Sequence, residues 1–207
     1  MRSCANPRAS ISAVGYLAQL ARVLPLVPRD ALTEAIDLLL EARAAGRHVY
    51  VMGNGGSAST ASHIVCDLVK SAAVDGFAPL KAFTLADNAA LLTAWANDRA
   101  YDRIFAEQVA GLVGPGDVVM AISASGNSPN IVAALATANK IGAHTIGLLG
   151  FDGGAALDLV DVAIHVPCAD YGLVEDTHAA IGHAMTVAIR QTLQLESEKT
   201  VFVGAAD

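Results

Sequence analysis

Three hydroxyls, a carboxamide and a glycine crowd into the six residues Ser123-Ala124-Ser125-Gly126-Asn127-Ser128. Such a run suits an oxyanion. A phosphate needs many donors and tolerates little bulk, and hydroxyls, free backbone N–H groups and the positive end of a helix supply them without lysine. A plain strand-to-helix turn needs only one capping serine, so Ser123, Ser125 and Ser128 together favour an anion site, with Ala124 contributing backbone. The second loop is Gly53-Asn54-Gly55-Gly56-Ser57. Gly55 and Gly56 permit close approach of a ligand to the backbone, and Asn54 and Ser57 add donors. The same stretch with Ala58 also fits GxGxxA, a dinucleotide fingerprint, and Asp87 is its candidate ribose-binding acid. Asp87 lies 29 residues past Ala58, against a usual spacing of about 20. That reading also leaves the serine loop without a role.

Acid–base chemistry has its own candidates. His63 and Asp67 are four residues apart on one predicted helix and therefore share a face. The apolar neighbours Ile64, Val65 and Leu68 make a polar stripe there less accidental than a solvated pair would be. A late Ala- and Ile-rich helix carries Glu175, Asp176, Thr177, His178 and His183, and polar groups set into such a helix need partners or a function. His178 and His183 differ by about 140° around a 3.6-residue helix, so they are expected to serve different surroundings.

The elements that must position these residues are legible as alternating runs. Two helices are expected over about 10–24 and 30–45, broken by Pro25 to Pro28, with Asp30 capping the second. Strands are expected at His48–Met52, Leu80–Leu85, Asp117–Ile122, His144–Leu149 and Val162–Val166. Helices follow them to about Ala73, from an Asp87 cap to about Ala96, over Tyr101–Leu112, from Pro129 behind a Ser128 cap, and over Val174–Glu196. Apolar strands separated by helices predict an α/β protein with a doubly wound, five-stranded parallel sheet of flavodoxin-like type. In such a sheet ligands bind beyond the carboxyl ends of the strands, where both Gly/Ser loops fall. The expected organisation is a helical segment over 1–46, a core over 47–196 and a tail over 197–207, one domain overall.

Bulk composition agrees and excludes. Of 207 residues, 54% are hydrophobic and only 5% aromatic, so the apolar material is mainly Ala, Val, Leu and Ile. That suits helices packed on a sheet buried on both faces, with surplus for contacts between copies. The net charge of -7 and the absence of a basic run argue against nucleic acid as a direct ligand. Cys4, Cys66 and Cys168 form no CxxC pair, which points to a reducing compartment and hence the cytoplasm. Neither a signal peptide nor a membrane span is expected.

The run Met52-Gly53-Asn54-Gly55-Gly56-Ser57, the Ala96-Asn97-Asp98 element within NDxxYD, the run Ile122 to Ser128, and Asp152-Gly153-Gly154 together resemble the sugar isomerase (SIS) domain family. Within it the chain is most similar to phosphoheptose isomerases, which interconvert sedoheptulose 7-phosphate and glycero-manno-heptose 7-phosphate. The resemblance implies an aldose–ketose shift through a cis-enediol, in which a carboxylate removes the proton beside the carbonyl and a histidine relays a proton to the sugar oxygens. It assigns the base to Asp67, where the family carries glutamate, and the histidine to His183. It implies a zinc site at His63, Asp67, Glu175 and His183, with Glu175 standing where the family has glutamine and able to share the role of base. It implies contacts of Asn54, Gly55, Gly56, Ser57, Asn97, Asp98, Ser123, Ala124, Ser125 and Ser128 with the phosphosugar. It also implies a homotetramer with sites at subunit interfaces. The family's arginine is replaced by Ser71, and an acid before the late helix by Gly172. These departures leave open a different phosphorylated sugar. A non-catalytic SIS module of the kind that associates with replication initiators is the other reading, and it would lack the acid–base set.

Overall fold

The computed structural model describes residues 12–204, with side chains to residue 198; Cys4 and the first residues of the expected N-terminal helix lie outside that range. The elements run α1 (Ala13–Val23), α2 (Arg29–Ala44), β1 (His48–Gly53), α3 (Gly56–Cys66), β2 (Lys81–Thr84), α4 (Ala89–Asp98), α5 (Ala106–Leu112), β3 (Val118–Ser123), α6 (Pro129–Ile141), β4 (His144–Leu149), β5 (Val162–His165) and α7 (Tyr171–Gly204). The five strands form one parallel sheet in the order β2-β1-β3-β4-β5. This is the doubly wound arrangement the residue pattern predicts, and its strand order reverses between β1 and β3. That reversal is where an open α/β sheet has its ligand crevice, and the two Gly/Ser loops are the ones that leave β1 and β3.

The sheet is apolar on both faces because its strands alternate two apolar sets. Val49, Val51, Val118 and Met120 belong to one core with residues of α2, α3 and α7. Tyr50, Met52, Val119 and Ala121 belong to the other, with residues of α5 and α6. Burial on both faces explains why these strands read as nearly continuous apolar runs. Helix α1 is tied to α7 by the Tyr16 hydroxyl, which donates to Asp176 Oδ2 at 2.6 Å. Partial burial, and then the adjoining Asp176 carboxylate, push that phenol well above its ordinary pKa.

Several local expectations are corrected. Helix α2 starts behind Pro28, so Asp30 lies in its first turn instead of capping it; there its charge still favours the helix dipole. Helix α4 is capped by Asn88, whose side chain accepts from Leu91 N at 3.0 Å, and not by Asp87. Asp87 accepts from Ser62 Oγ instead. The helix expected over Tyr101–Leu112 is broken into a short 3-10 turn at Tyr101–Arg103 and α5. After Cys66, α3 widens into a π-helical turn over Asp67–Ser71, and α7 continues beyond residue 196 to Gly204.

Candidate active site

The loop after β3 folds on itself before any ligand arrives. Ser123 Oγ accepts from Gly126 N at 3.1 Å, and Ser125 Oγ accepts from Asn127 N at 3.2 Å. Each hydroxyl proton stays available to donate outward. Ser128 stands at the N-cap of α6, with Pro129 at the first position, yet its side chain makes no capping bond. It too can face a ligand. Gly126 has φ 65°, and a Cβ there would lie 1.8 Å from Gly153 O. The Asp152-Gly153-Gly154 turn is thus the wall against which the serine loop is pressed, and Asn127 Oδ1 accepts from Ala155 N at 2.9 Å to hold it.

The first loop is bound to the second by side chains. Asn54 Nδ2 donates to Asn130 Oδ1 at 2.9 Å, and Asn130 Nδ2 returns the bond to Asn54 Oδ1 at 2.8 Å. Tyr101 adds a hydroxyl to Asn54 Oδ1 at 3.1 Å. Asn54 is therefore largely committed to the protein, with one amide hydrogen left to give.

Between the loops lies a cavity of about 140 Å³ lined by Asn54, Ser57, Ile122, Ser123, Ala124, Ser125, Ser128, Tyr171 and Glu175. Its lining contains no lysine or arginine. It offers hydroxyls, backbone N–H groups and the N-terminus of α6, while the N-terminus of α3 already faces the carboxylate of Glu175, the one charged residue in the lining. Glu175 packs its carboxylate over Gly56, where a Cβ would come within 2.7 Å of it. Gly56 has no side chain because Glu175 occupies that space. Gly55, with φ 53°, turns the chain into α3. Asn97 and Asp98 close the exposed last turn of α4 and are bonded to each other at 2.9 Å.

A second cavity of about 160 Å³ lies further along the α3–α7 contact, lined by Ser59, Thr60, His63, Ile64, Ala179 and His183. Here His63 and His183, 120 residues apart, bring their Nε2 atoms to 3.2 Å. Asp67 Oδ2 is 3.4 Å from the first and 3.6 Å from the second. All three offer a ligand atom within 4.8 Å of one another. A tetrahedral zinc with bonds of about 2.0–2.1 Å holds its ligand atoms about 3.3–3.4 Å apart. The three residues fit that ion. Glu175 is not among them; it and His183 are eight residues apart on α7, about 12 Å along an ideal helix.

Residues 15–150 match the model of the SIS domain. The chain belongs to the SIS-domain family. It is 42% identical to the phosphoheptose isomerase of Geotalea daltonii over 158 residues, which are 76% of this chain and 82% of that one. To the phosphoheptose isomerase of Pelobacter propionicus it is 38% identical, covering 84% and 89%. Among solved structures, the phosphoheptose isomerase of Neisseria gonorrhoeae superposes with a TM-score of 0.80 at 29% identity, covering 86% of this chain and 96% of the other.

Asn130 escaped the sequence reading of this SIS protein's site region, and Tyr101 and Ser71 entered it without the roles they have here. Asn130 and Tyr101 brace Asn54. Ser71 donates to Asp67 Oδ1 at 3.0 Å from the far end of the π turn. Tyr101 falls inside the NDxxYD run and Ser71 stands where the family has arginine, which were the available signals; Asn130 had none. At Gly172, the Tyr16 hydroxyl lies 3.0 Å from where a Cβ would stand, so α1 fills the space beside that position.

Proposed function

We propose that the protein is a phosphosugar aldose–ketose isomerase acting on sedoheptulose 7-phosphate or a sugar phosphate of similar length. The observation that carries this is the pairing of two cavities along α3, one lined by the serine loop and one lined by His63 and His183 with Asp67 beside them. Gly56 and His63 are seven residues apart, about 10 Å along the helix. An extended chain advances about 1.2 Å per bond, so about eight bonds span that distance. Eight bonds connect the first carbon of an open seven-carbon sugar to its terminal phosphorus.

In this reading the serine loop and the N-terminus of α6 hold the phosphate. Asn97 and Asp98 border the sugar from α4, and Glu175 accepts hydrogen bonds from hydroxyls near the phosphate end. Asp67 takes the proton from the carbon beside the carbonyl and His183 moves a proton between the two sugar oxygens, giving a cis-enediol; Asp67 then returns its proton to the former carbonyl carbon as the isomeric carbonyl forms. His63, Asp67 and His183 are also the residues that would hold zinc, which would supply Lewis-acid polarisation of the carbonyl and adjacent hydroxyl. Atoms bound to the ion are not free bases, so the proton transfers given to Asp67 and His183 belong to the metal-free site. Glu175 stands outside that ligand set, and the homotetramer with shared sites is part of this reading through the family resemblance alone. The presence of His63, a carboxylate at Asp67 and His183 weighs against a purely regulatory SIS module.

The direct test is to incubate the purified chain with sedoheptulose 7-phosphate and with five- and six-carbon ketose phosphates, with and without zinc, and follow aldose formation. Conversion of the seven-carbon substrate is expected. No conversion of any of them would overturn the reading.

A further inference from the structure

Asp67 has two carboxylate oxygens with separate duties. Oδ2 faces both histidines, at 3.4 and 3.6 Å, while Oδ1 accepts from Ser71 Oγ at 3.0 Å. A helical serine ordinarily bonds back to the carbonyl four residues earlier. Here the Asp67 carbonyl instead accepts from Ala72 N at 2.8 Å, the bond that makes the turn a π turn. The Ser71 hydroxyl is thus given to the carboxylate. The turn is also fixed from the other side: Arg190 Nη1 donates to Ser71 O at 3.4 Å. Arg190 sits seven residues beyond His183, close to the same face of α7. One continuous path therefore links the helix that carries His183 to the orientation of Asp67. Single-turn π segments within helices recur at functional sites.

We propose that Ser71 is a positioning residue: it engages Oδ1 so that Asp67 presents Oδ2 alone to the histidine pair, and it thereby sets divalent-metal affinity there. The inference rests on the metal-site reading above. Aspartate is short, and the direction of its carboxylate is governed by whatever holds the other oxygen. Partners that orient ligating carboxylates in this way are worth roughly 10–100-fold in metal affinity.

Zinc binding to the full chain, measured by competition with a chromogenic chelator, tests this without reference to turnover. Ser71→Ala is expected to weaken zinc binding about 10–100-fold, while Ser71→Thr, which keeps the hydroxyl, retains most of it. Metal-free thermal unfolding of both variants should match the unsubstituted chain, separating orientation from folding. Equal zinc affinity for Ser71→Ala and the unsubstituted chain, with Asp67→Asn weakened, would overturn the role of Ser71 and leave the metal site standing. No zinc binding by the unsubstituted chain, or undiminished binding by Asp67→Asn, would overturn both.

Discussion

Asn54 and Asn130 exchange two hydrogen bonds through their side-chain amides, at 2.9 and 2.8 Å, and so bolt the loop after β1 to the start of the helix after β3. Asn130 is 1% exposed, and its Oδ1 also accepts from Ile131 N. Asn130→Ala removes both bonds and leaves Asn54 to the Tyr101 hydroxyl alone. The expected cost is about 2–3 kcal/mol, a fall in Tm of roughly 4–12 °C for a chain of this size. Differential scanning calorimetry checks it, and a Tm unchanged within a degree would refute the brace.

Ser123 and Ser125 use their oxygens inside the loop and keep their protons for a ligand. Replacing both with alanine should weaken phosphosugar binding, each lost bond to a charged phosphate costing roughly 1.5–3 kcal/mol. Titration calorimetry with the phosphosugar is the measurement. Unchanged affinity in the double variant would take this loop out of the site.

His178 gives a pH dependence of stability. It is fully buried, and neither ring nitrogen has a well-formed hydrogen bond among the described residues. Burial lowers its pKa to about 4, and the nearby Leu149 backbone offsets only part of that. An unfolded chain binds this proton near pH 6.5, so between those values the unfolded state holds more protons and stability falls as pH falls. The loss should approach about 3 kcal/mol by pH 4. His178→Leu should flatten that part of the stability–pH curve in urea titrations; identical slopes would contradict the assignment.

What the sequence disclosed follows from the range of each interaction. The strands and both loops were legible because period, glycine and hydroxyl content are local. The His63–Asp67 pair was legible because four residues make one helical turn. His183 beside His63 was not, since the approach spans 120 residues and only a family resemblance suggested it. Asp87 and Asn88 are adjacent good caps, and spacing alone cannot choose between them. The roles of Asn130 and Ser71 depend on the register of β1 against β3 and on one π turn, neither of which leaves a mark on composition.

The central claim is that Asp67 and His183 move protons on a bound phosphosugar. Deuterium exchange at the carbon beside the carbonyl of sedoheptulose 7-phosphate, run in heavy water, tests it most directly. The unsubstituted chain should exchange, and Asp67→Asn and His183→Ala should lose exchange by at least about 100-fold while still binding the phosphosugar through the untouched loops. Exchange at the unsubstituted rate in both variants would contradict the account.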